Sequence, residues 1–225
     1  MTTFELVDSG EAVDVEVQEL IIAGWAGREQ AGIDEHIEEL KAIGVTPPST
    51  TPLFYRVAAD QLTSADTIQV LGKASSGEVE VVLIGSPAGT LVGIGSDHTD
   101  REAEAWSVAH SKQVCAKPVG RQVWRLEDVI DHWDELTMAS WATIEGDEVL
   151  YQQGGVTGLL PPGELLQRFG LEETRLAPGQ VMLCGTLPVI GGVRSAEAFR
   201  VVLEDPVRHR ALDHRYRVDV LPVVA

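Results

Sequence analysis

The chain has 225 residues, 44% of them apolar, and a formal net charge of -18 from 17 basic and 35 acidic side chains. That apolar share fills a sizeable core and excludes a disordered chain. A surface so negative repels phosphate backbones and anionic lipid, which excludes nucleic acid and membrane as expected partners and requires a local basic cluster for any acidic substrate.

Residues 1–24 alternate weakly and end in Leu20-Ile21-Ile22-Ala23-Gly24, which reads as strands. Ile33, Ile37, Leu40 and Ile43 fall at helical spacing, and Gly44 is a plausible stop. Pro47 to Pro52 is a rigid polar loop. Short β-rich runs follow at 53–57, 67–71, 78–84 and 90–96. Glu102 to Val108 reads as a short helix and Leu126 to Leu136 as a longer one. Residues 137–145 and 148–152 form a hairpin pattern around Gly146-Asp147, and Pro161 to Phe169 a proline-started helix. The last third returns to strands at 180–185, 198–204 and 215–223. Many short strands with about four helices indicate an α+β fold rather than a doubly wound sheet. Nothing reads as a linker, so one domain over 1–225 is expected, with residues 1–20 as an N-terminal β extension of it.

The N-terminus lacks a basic and apolar leader, and no apolar run approaches the ~18–20 residues that span a bilayer. The cytoplasm is the expected compartment. Cys115 and Cys184 form neither a CxxC pair nor a zinc spacing and read as small buried hydrophobes. Gly72-Lys73 is not a P-loop, because the required glycine position holds Thr67. Gly93-Ile94-Gly95 ends in His98 rather than a third glycine, and neither a Gly-x-Ser-x-Gly elbow nor His-Glu-x-x-His occurs.

Three pieces carry candidate chemistry. In the strand run from Gly77 to Ile84, period two puts Glu78 and Glu80 on one face, with Cα atoms ~6.5–7 Å apart. Two carboxylates so placed can converge on one cation; a solvent-facing strand edge has the same pattern. The apolar strand ending at Gly95-Ser96 runs into Asp97-His98-Thr99-Asp100-Arg101-Glu102, where Asp97 is a possible third carboxylate. The same cluster also reads as a turn with a helix N-cap at Thr99 or Asp100. Three oxygen anions without a thiolate suit Mg²⁺, Mn²⁺ or Ca²⁺ better than Zn²⁺. His36 and Glu39, three apart on the first helix, share a face and fit either a carboxylate-oriented base or a satisfied core histidine. Lys112, Arg101 and Arg56 are candidate cations for a carboxylate substrate.

In this order along the chain, the pieces resemble the fumarylacetoacetate hydrolase (FAH) superfamily, in a bacterial branch of it. Residues 21–40 look like the segment with a His-x-x-Glu dyad, and Pro52-Leu53-Phe54-Tyr55-Arg56 like the strand after it. Glu78-Val79-Glu80 matches the paired metal glutamates, and Gly95 to Glu102 is similar to the segment of the third carboxylate and an arginine. Ser111-Lys112 looks like the active-site lysine, Leu136 to Gly154 like the family's hairpin, and Leu176 to Thr186 like the terminal signature. The match spans roughly 20–195. It departs at Ser96, where the family has Asn, at Gln113-Val114 in place of Phe-Asp, at Gln180 in place of Asp, and in extra residues between Gly24 and His36.

The resemblance implies a layered mixed β-sheet roll with peripheral helices, a homodimer, and one divalent ion, Mg²⁺ or else Mn²⁺ or Ca²⁺, on Glu78, Glu80 and Asp97. It implies His36 and Glu39 as the base pair, Lys112 and Thr186 as oxyanion stabilisers, and Arg101, Gly185 and Arg56 beside a small carboxylate substrate. The implied activity is metal-dependent hydrolysis of a carbon–carbon bond in a 1,3-dicarbonyl or 2-oxo acid, such as an acylpyruvate. The alternatives are a 2-oxo acid decarboxylase, dehydratase or isomerase on the same fold, or a non-catalytic small-molecule-binding protein, for which a base would be superfluous.

Overall fold

The structure is a computed structural model that describes residues 1–42, 47–171 and 175–224, without the side chains of residues 35, 36, 39, 40 and 42 in the first helix. In chain order the principal elements are β1 (Thr2–Leu6), β2 (Ala12–Val15), β3 (Glu19–Gly24), α1 (Gln30–Ala42), β4 (Leu53–Val57), β5 (Thr67–Leu71), β6 (Val79–Ser86) and β7 (Gly89–Ser96). There follow α2 (Arg101–Glu104), α3 (Val108–Gln113), β8 (Gln122–Arg125), β9 (Thr137–Ile144), β10 (Asp147–Gly155), α4 (Pro162–Arg168), β11 (Gln180–Thr186), β12 (Ala198–Asp205) and β13 (Arg210–Leu221). The fold is α+β, strand-rich with few helices, as the sequence pattern indicates.

Eight strands form a mixed sheet in the order β2-β1-β8-β7-β6-β11-β3-β4, and five form a second in the order β10-β9-β12-β13-β5. The two N-terminal strands are the outer members of the large sheet on one side, with Phe4, Leu6, Val13 and Val15 in its core. β11 enters antiparallel to β6 and parallel to β3, so the 180s stand between strands made much earlier. β6 is buried along its whole length because both its faces are covered. Val79, Val81 and Leu83 join Met138, Val201 and Leu203 of the second sheet in one core. Val82 and Ile84 join Leu20, Ile22 and Leu183 in another on the opposite face. Among the described residues no helix is long and apolar enough to cross a membrane.

Two helix expectations change. The single helix read over 102–108 is two short helices, α2 capped by the Asp100 carboxylate on the Ala103 N–H and α3 capped by Ser107 on the His110 N–H. Residues 126–136 are 3₁₀ turns. Val129, Trp133 and Leu136 are buried at helical spacing, which is why the sequence reads as one helix. His132 breaks it, with φ -128° and ψ 29°, and its Nε2 lies 3.0 Å from Asp205 Oδ1.

Asp205 has no exposure and also accepts from the Arg208 backbone N–H (3.1 Å) and Arg210 Nε (3.0 Å). Burial alone would raise its carboxyl, but these donors outweigh burial and hold it below the usual carboxylate range. The sign follows: the stabilisation is complete above the ordinary aspartate pKa and is lost as pH falls through the lower folded value. Asp205→Asn is expected to cost about 2–4 kcal/mol in urea unfolding at pH 7, since it leaves buried donors poorly matched. It should also flatten the loss of stability below about pH 4. An unchanged acid limb in the variant would remove this role.

Candidate metal centre

Glu78 precedes β6 and Glu80 is its second residue. Antiparallel pairing sets Val79 opposite Ser96 and Glu80 opposite Gly95, so the chain leaving β7 returns beside Glu78. There the Asp97 N–H donates to the Glu78 carbonyl at 3.0 Å. One carboxylate oxygen from each of Glu78, Glu80 and Asp97 lies within 4.8 Å of the other two. The solvent-facing edge reading of Glu78 and Glu80 gives way: β6 is an interior strand and Glu80 is only 2% exposed.

Three cations meet these three anions. Lys112 Nζ bonds Asp97 Oδ2 and lies 3.7 Å from Glu78 Oε2. Lys117, wholly buried, places Nζ 3.0 Å from Asp97 Oδ1 and donates to the His98 carbonyl at 2.6 Å. Arg101 donates to Glu78 Oε1 (3.0 Å), Ser76 Oγ (2.7 Å) and Glu104 Oε2 (2.9 Å). Burial pushes the Glu80 carboxyl well above the usual range, and the charges of Asp97 and Glu78 push it further. Burial would raise Asp97 as well, but Lys112 and Lys117 outweigh it and hold Asp97 at about 2. Burial favours a neutral Lys112, yet Asp97 and Glu78 win and hold it ionised, above the ordinary lysine value.

The donor set fits a hard divalent cation. All three donors are carboxylates with oxygen only, and Asp97 Oδ1 is buried without an aligned hydrogen bond. A divalent charge would also offset the cost of ionising Glu80.

The remaining expected site residues fall into place unevenly. The Gly185 N–H donates to Glu80 Oε2 at 2.7 Å, so this residue, expected beside substrate, holds a carboxylate of the cluster. Its φ of +99° makes glycine the natural choice there. The Thr186 hydroxyl donates to the Val79 carbonyl (2.8 Å) and accepts from Gln152 Nε2 (2.8 Å). In this geometry the hydroxyl braces β6. Arg56 is half exposed and pairs with Glu19 at 2.7 Å. Strand alternation turns its neighbour Tyr55 toward the site, with Lys112 Nζ 5.8 Å from the ring centroid. The backbone of α1 carries His36 and Glu39, whose side chains lie outside the described residues.

Sequence reasoning missed Lys117, Tyr55 and Gln152. Lys117 had a signal: a lone lysine in the run Val114-Cys115-Ala116-Lys117-Pro118-Val119, where burial demands a partner. Gln152 had none. It joins the sheets by accepting from the Val79 N–H (2.9 Å) and Ser140 Oγ (3.0 Å) and donating to Thr186 and Leu187. Ser96, the departure from the family's asparagine, accepts from the Glu78 N–H (3.1 Å) and the Tyr216 hydroxyl (2.9 Å). His98 is a buried core histidine between Tyr216 Oη (3.0 Å) and Ser75 Oγ (2.9 Å), lowered to about 3 by burial and then by Lys117.

Glu80→Gln and Asp97→Asn each remove an anionic donor from this set. Each is expected to weaken Mn²⁺ binding by more than about 10-fold in a paramagnetic-resonance titration. Wild-type affinity in either variant would take that residue out of the ligand set.

The sequence profile of the family described as "Protein of unknown function (DUF2848)" matches residues 23–216. No curated protein matches the chain. Among solved structures, a protein from Oleispira antarctica provisionally assigned as a fumarylacetoacetate isomerase/hydrolase is 19% identical, with a TM-score of 0.68 over 97% of this chain and 100% of that one. The 2-hydroxyhepta-2,4-diene-1,7-dioate isomerase from Mycobacterium marinum is 13% identical, with a TM-score of 0.64 over 94% and 82%. A 2-keto-3-deoxyarabinonate dehydratase is 16% identical, with a TM-score of 0.62 over 92% and 75%. At these identities the likeness is one of fold. The chain belongs to the DUF2848 family and has the fold of the fumarylacetoacetate hydrolase proteins.

Proposed function

We propose that this protein is a divalent-metal-dependent enzyme that hydrolyses a carbon–carbon bond in a 1,3-dicarbonyl or 2-oxo acid. The observation that carries the reading is the buried convergence of Glu78, Glu80 and Asp97 at the mouth of β6, with Lys112 beside them. Glu78, Glu80 and Asp97 would hold the ion, with Mg²⁺ the first choice among hard cations. When bound, such an ion supplies Lewis acidity toward two neighbouring substrate oxygens.

The chain's own residues supply the rest. The Lys112 ammonium is fixed by Asp97 and stands where it can face a substrate carboxylate or a developing oxyanion. Arg101 holds Glu78 in place, and Lys117 with Lys112 holds Asp97 ionised and in place. Gly185 fixes Glu80, and Thr186 fixes β6 behind it. In this reading His36 is the base that would take a proton from the attacking water, with Glu39 as its expected partner. The names of the structural relatives include an isomerase and a dehydratase, so the same constellation supports proton transfer without hydrolysis as the second reading.

Acetylpyruvate and oxaloacetate with Mg²⁺, against an EDTA control, test the proposal. Hydrolysis of acetylpyruvate to acetate and pyruvate, abolished by EDTA, is the expected result. Decarboxylation or isomerisation alone would move the assignment to the second reading, and turnover indifferent to EDTA would overturn metal dependence. His36→Ala is expected to lower kcat by about 10²–10⁴-fold with Mn²⁺ affinity retained, as for loss of a general base. Full activity in that variant would remove His36 from the mechanism.

A further inference from the structure

Trp25 is the first residue after β3 and has φ +59°. A bulky side chain rarely adopts that left-handed conformation, and such outliers persist where the surrounding structure holds them for function. Tyr55 is one of the partners that hold it. The indole Nε1–H donates to the Tyr55 hydroxyl at 3.4 Å. Tyr55 in turn lies so close to the β3 backbone that a Cβ on Gly24 would stand 2.7 Å from its Cε2. Gly24 is therefore the residue that lets the ring lie flat against the strand, and Trp25 turns left to meet the ring's far end.

This pair adjoins the carboxylate cluster. Lys112, which bonds Asp97, has its Nζ 5.8 Å from the Tyr55 ring centroid. On the other side, the Ala26 methyl lies 3.2 Å from where a Cβ on Gly185 would be, and Gly185 holds Glu80. The segment 24–26 thus spans from Tyr55 to Gly185 along the site. Trp25 and Tyr55 are both only partly buried. The cations that flank them in sequence already have partners. Arg28 makes two bonds to Asp134 (2.9 and 2.7 Å), and Arg56 pairs with Glu19.

We propose that Trp25 and Tyr55 form the wall that receives the substrate's substituent, and that the chain favours a 2-oxo acid bearing a flat, uncharged aryl or alkenyl group over one bearing a second carboxylate. This rests on the reading of the carboxylate cluster as an oxo-acid site. The physical basis is that aromatic faces reward flat apolar groups through burial and offset stacking. A second carboxylate would lie against those faces with no free cation from Arg28 or Arg56 to meet it.

The test is calorimetric binding to the Mg²⁺-loaded protein of phenylpyruvate, 2-oxoglutarate and pyruvate, which share the oxo-acid head and lack the second carbonyl. Wild type is expected to bind phenylpyruvate about 10-fold more tightly than 2-oxoglutarate. Trp25→Gly, which removes the indole and accepts the left-handed backbone without strain, is expected to cut that ratio about 3–10-fold. Trp25→Phe should restore part of it. If none of the three acids binds wild type, the oxo-acid reading of the site falls and the wall with it. If pyruvate binds but 2-oxoglutarate binds as tightly as phenylpyruvate, or Trp25→Gly leaves the ratio unchanged, the wall alone is overturned.

Discussion

Two carboxyl groups with almost no exposure to solvent, Glu80 and Asp97, stand beside the start of an interior strand, and the cost of placing charge there is the constraint around which the structure is arranged. Removing an ionised carboxylate from water costs several kcal/mol after relaxation, so such a group is tolerated only with close partners. For Glu80 the partner is the Gly185 N–H, and for Asp97 and Glu78 the chain provides cations from one stretch. Arg101, Lys112 and Lys117 all lie within about twenty residues of Asp97, on the broken α2–α3 segment and the short strand Lys117–Pro118 after it. The break between α2 and α3 has a purpose in this light. Asp100 and Ser107 cap two short helices in succession, and each delivers a cation toward the cluster from a different direction.

The second sheet braces what the first one carries. Gln152 reaches from β10 to β6 and β11 with all of its hydrogen-bonding capacity toward those strands engaged on Val79, Thr186 and Leu187. Because Val79 sits between Glu78 and Glu80, a shift of that one amide would move both glutamates. Ser96 does the same from the other neighbour, holding the Glu78 N–H while Tyr216 of β13 holds the serine. The carboxylates are thereby positioned by backbone contacts that run to both sheets.

The α+β class and most strand positions were legible in the sequence from local pattern, whereas the pattern left Glu78, Glu80 and Asp97 open and only their order along the chain, as a family resemblance, joined them. Alternation marks a strand whichever strands it pairs with, and acidic residues at a strand's start stand out against an apolar run. What was not legible depends on pairing. Arg56 and Tyr55 are adjacent, and only the register of β4 on β3 decides that the tyrosine faces the site and the arginine faces Glu19. Gly185 and Thr186 stood out by their motif, yet their role as braces on Glu80 and Val79 follows from β11 lying beside β6. The helix expected over 126–136 failed for a related reason: its apolar spacing was right, but the bond from His132 to Asp205 bends the segment out of helical geometry.

The position of β11 has a consequence for how the chain is made. β3 and β6 are complete by residue 86, yet neither can pair with the other, because the strand between them begins at Gln180. Nearly a hundred residues must leave the ribosome before that gap closes, and loop closure over such a distance is slow relative to local pairing. During that interval two strongly apolar strands, Leu20-Ile21-Ile22-Ala23 and Val79-Glu80-Val81-Val82-Leu83-Ile84, present open edges able to template pairing with another chain. Glu78 and Glu80 stand at the head of the second of these strands, and acidic residues there would meet their own copies in an in-register stack, an arrangement that disfavours edge-to-edge assembly.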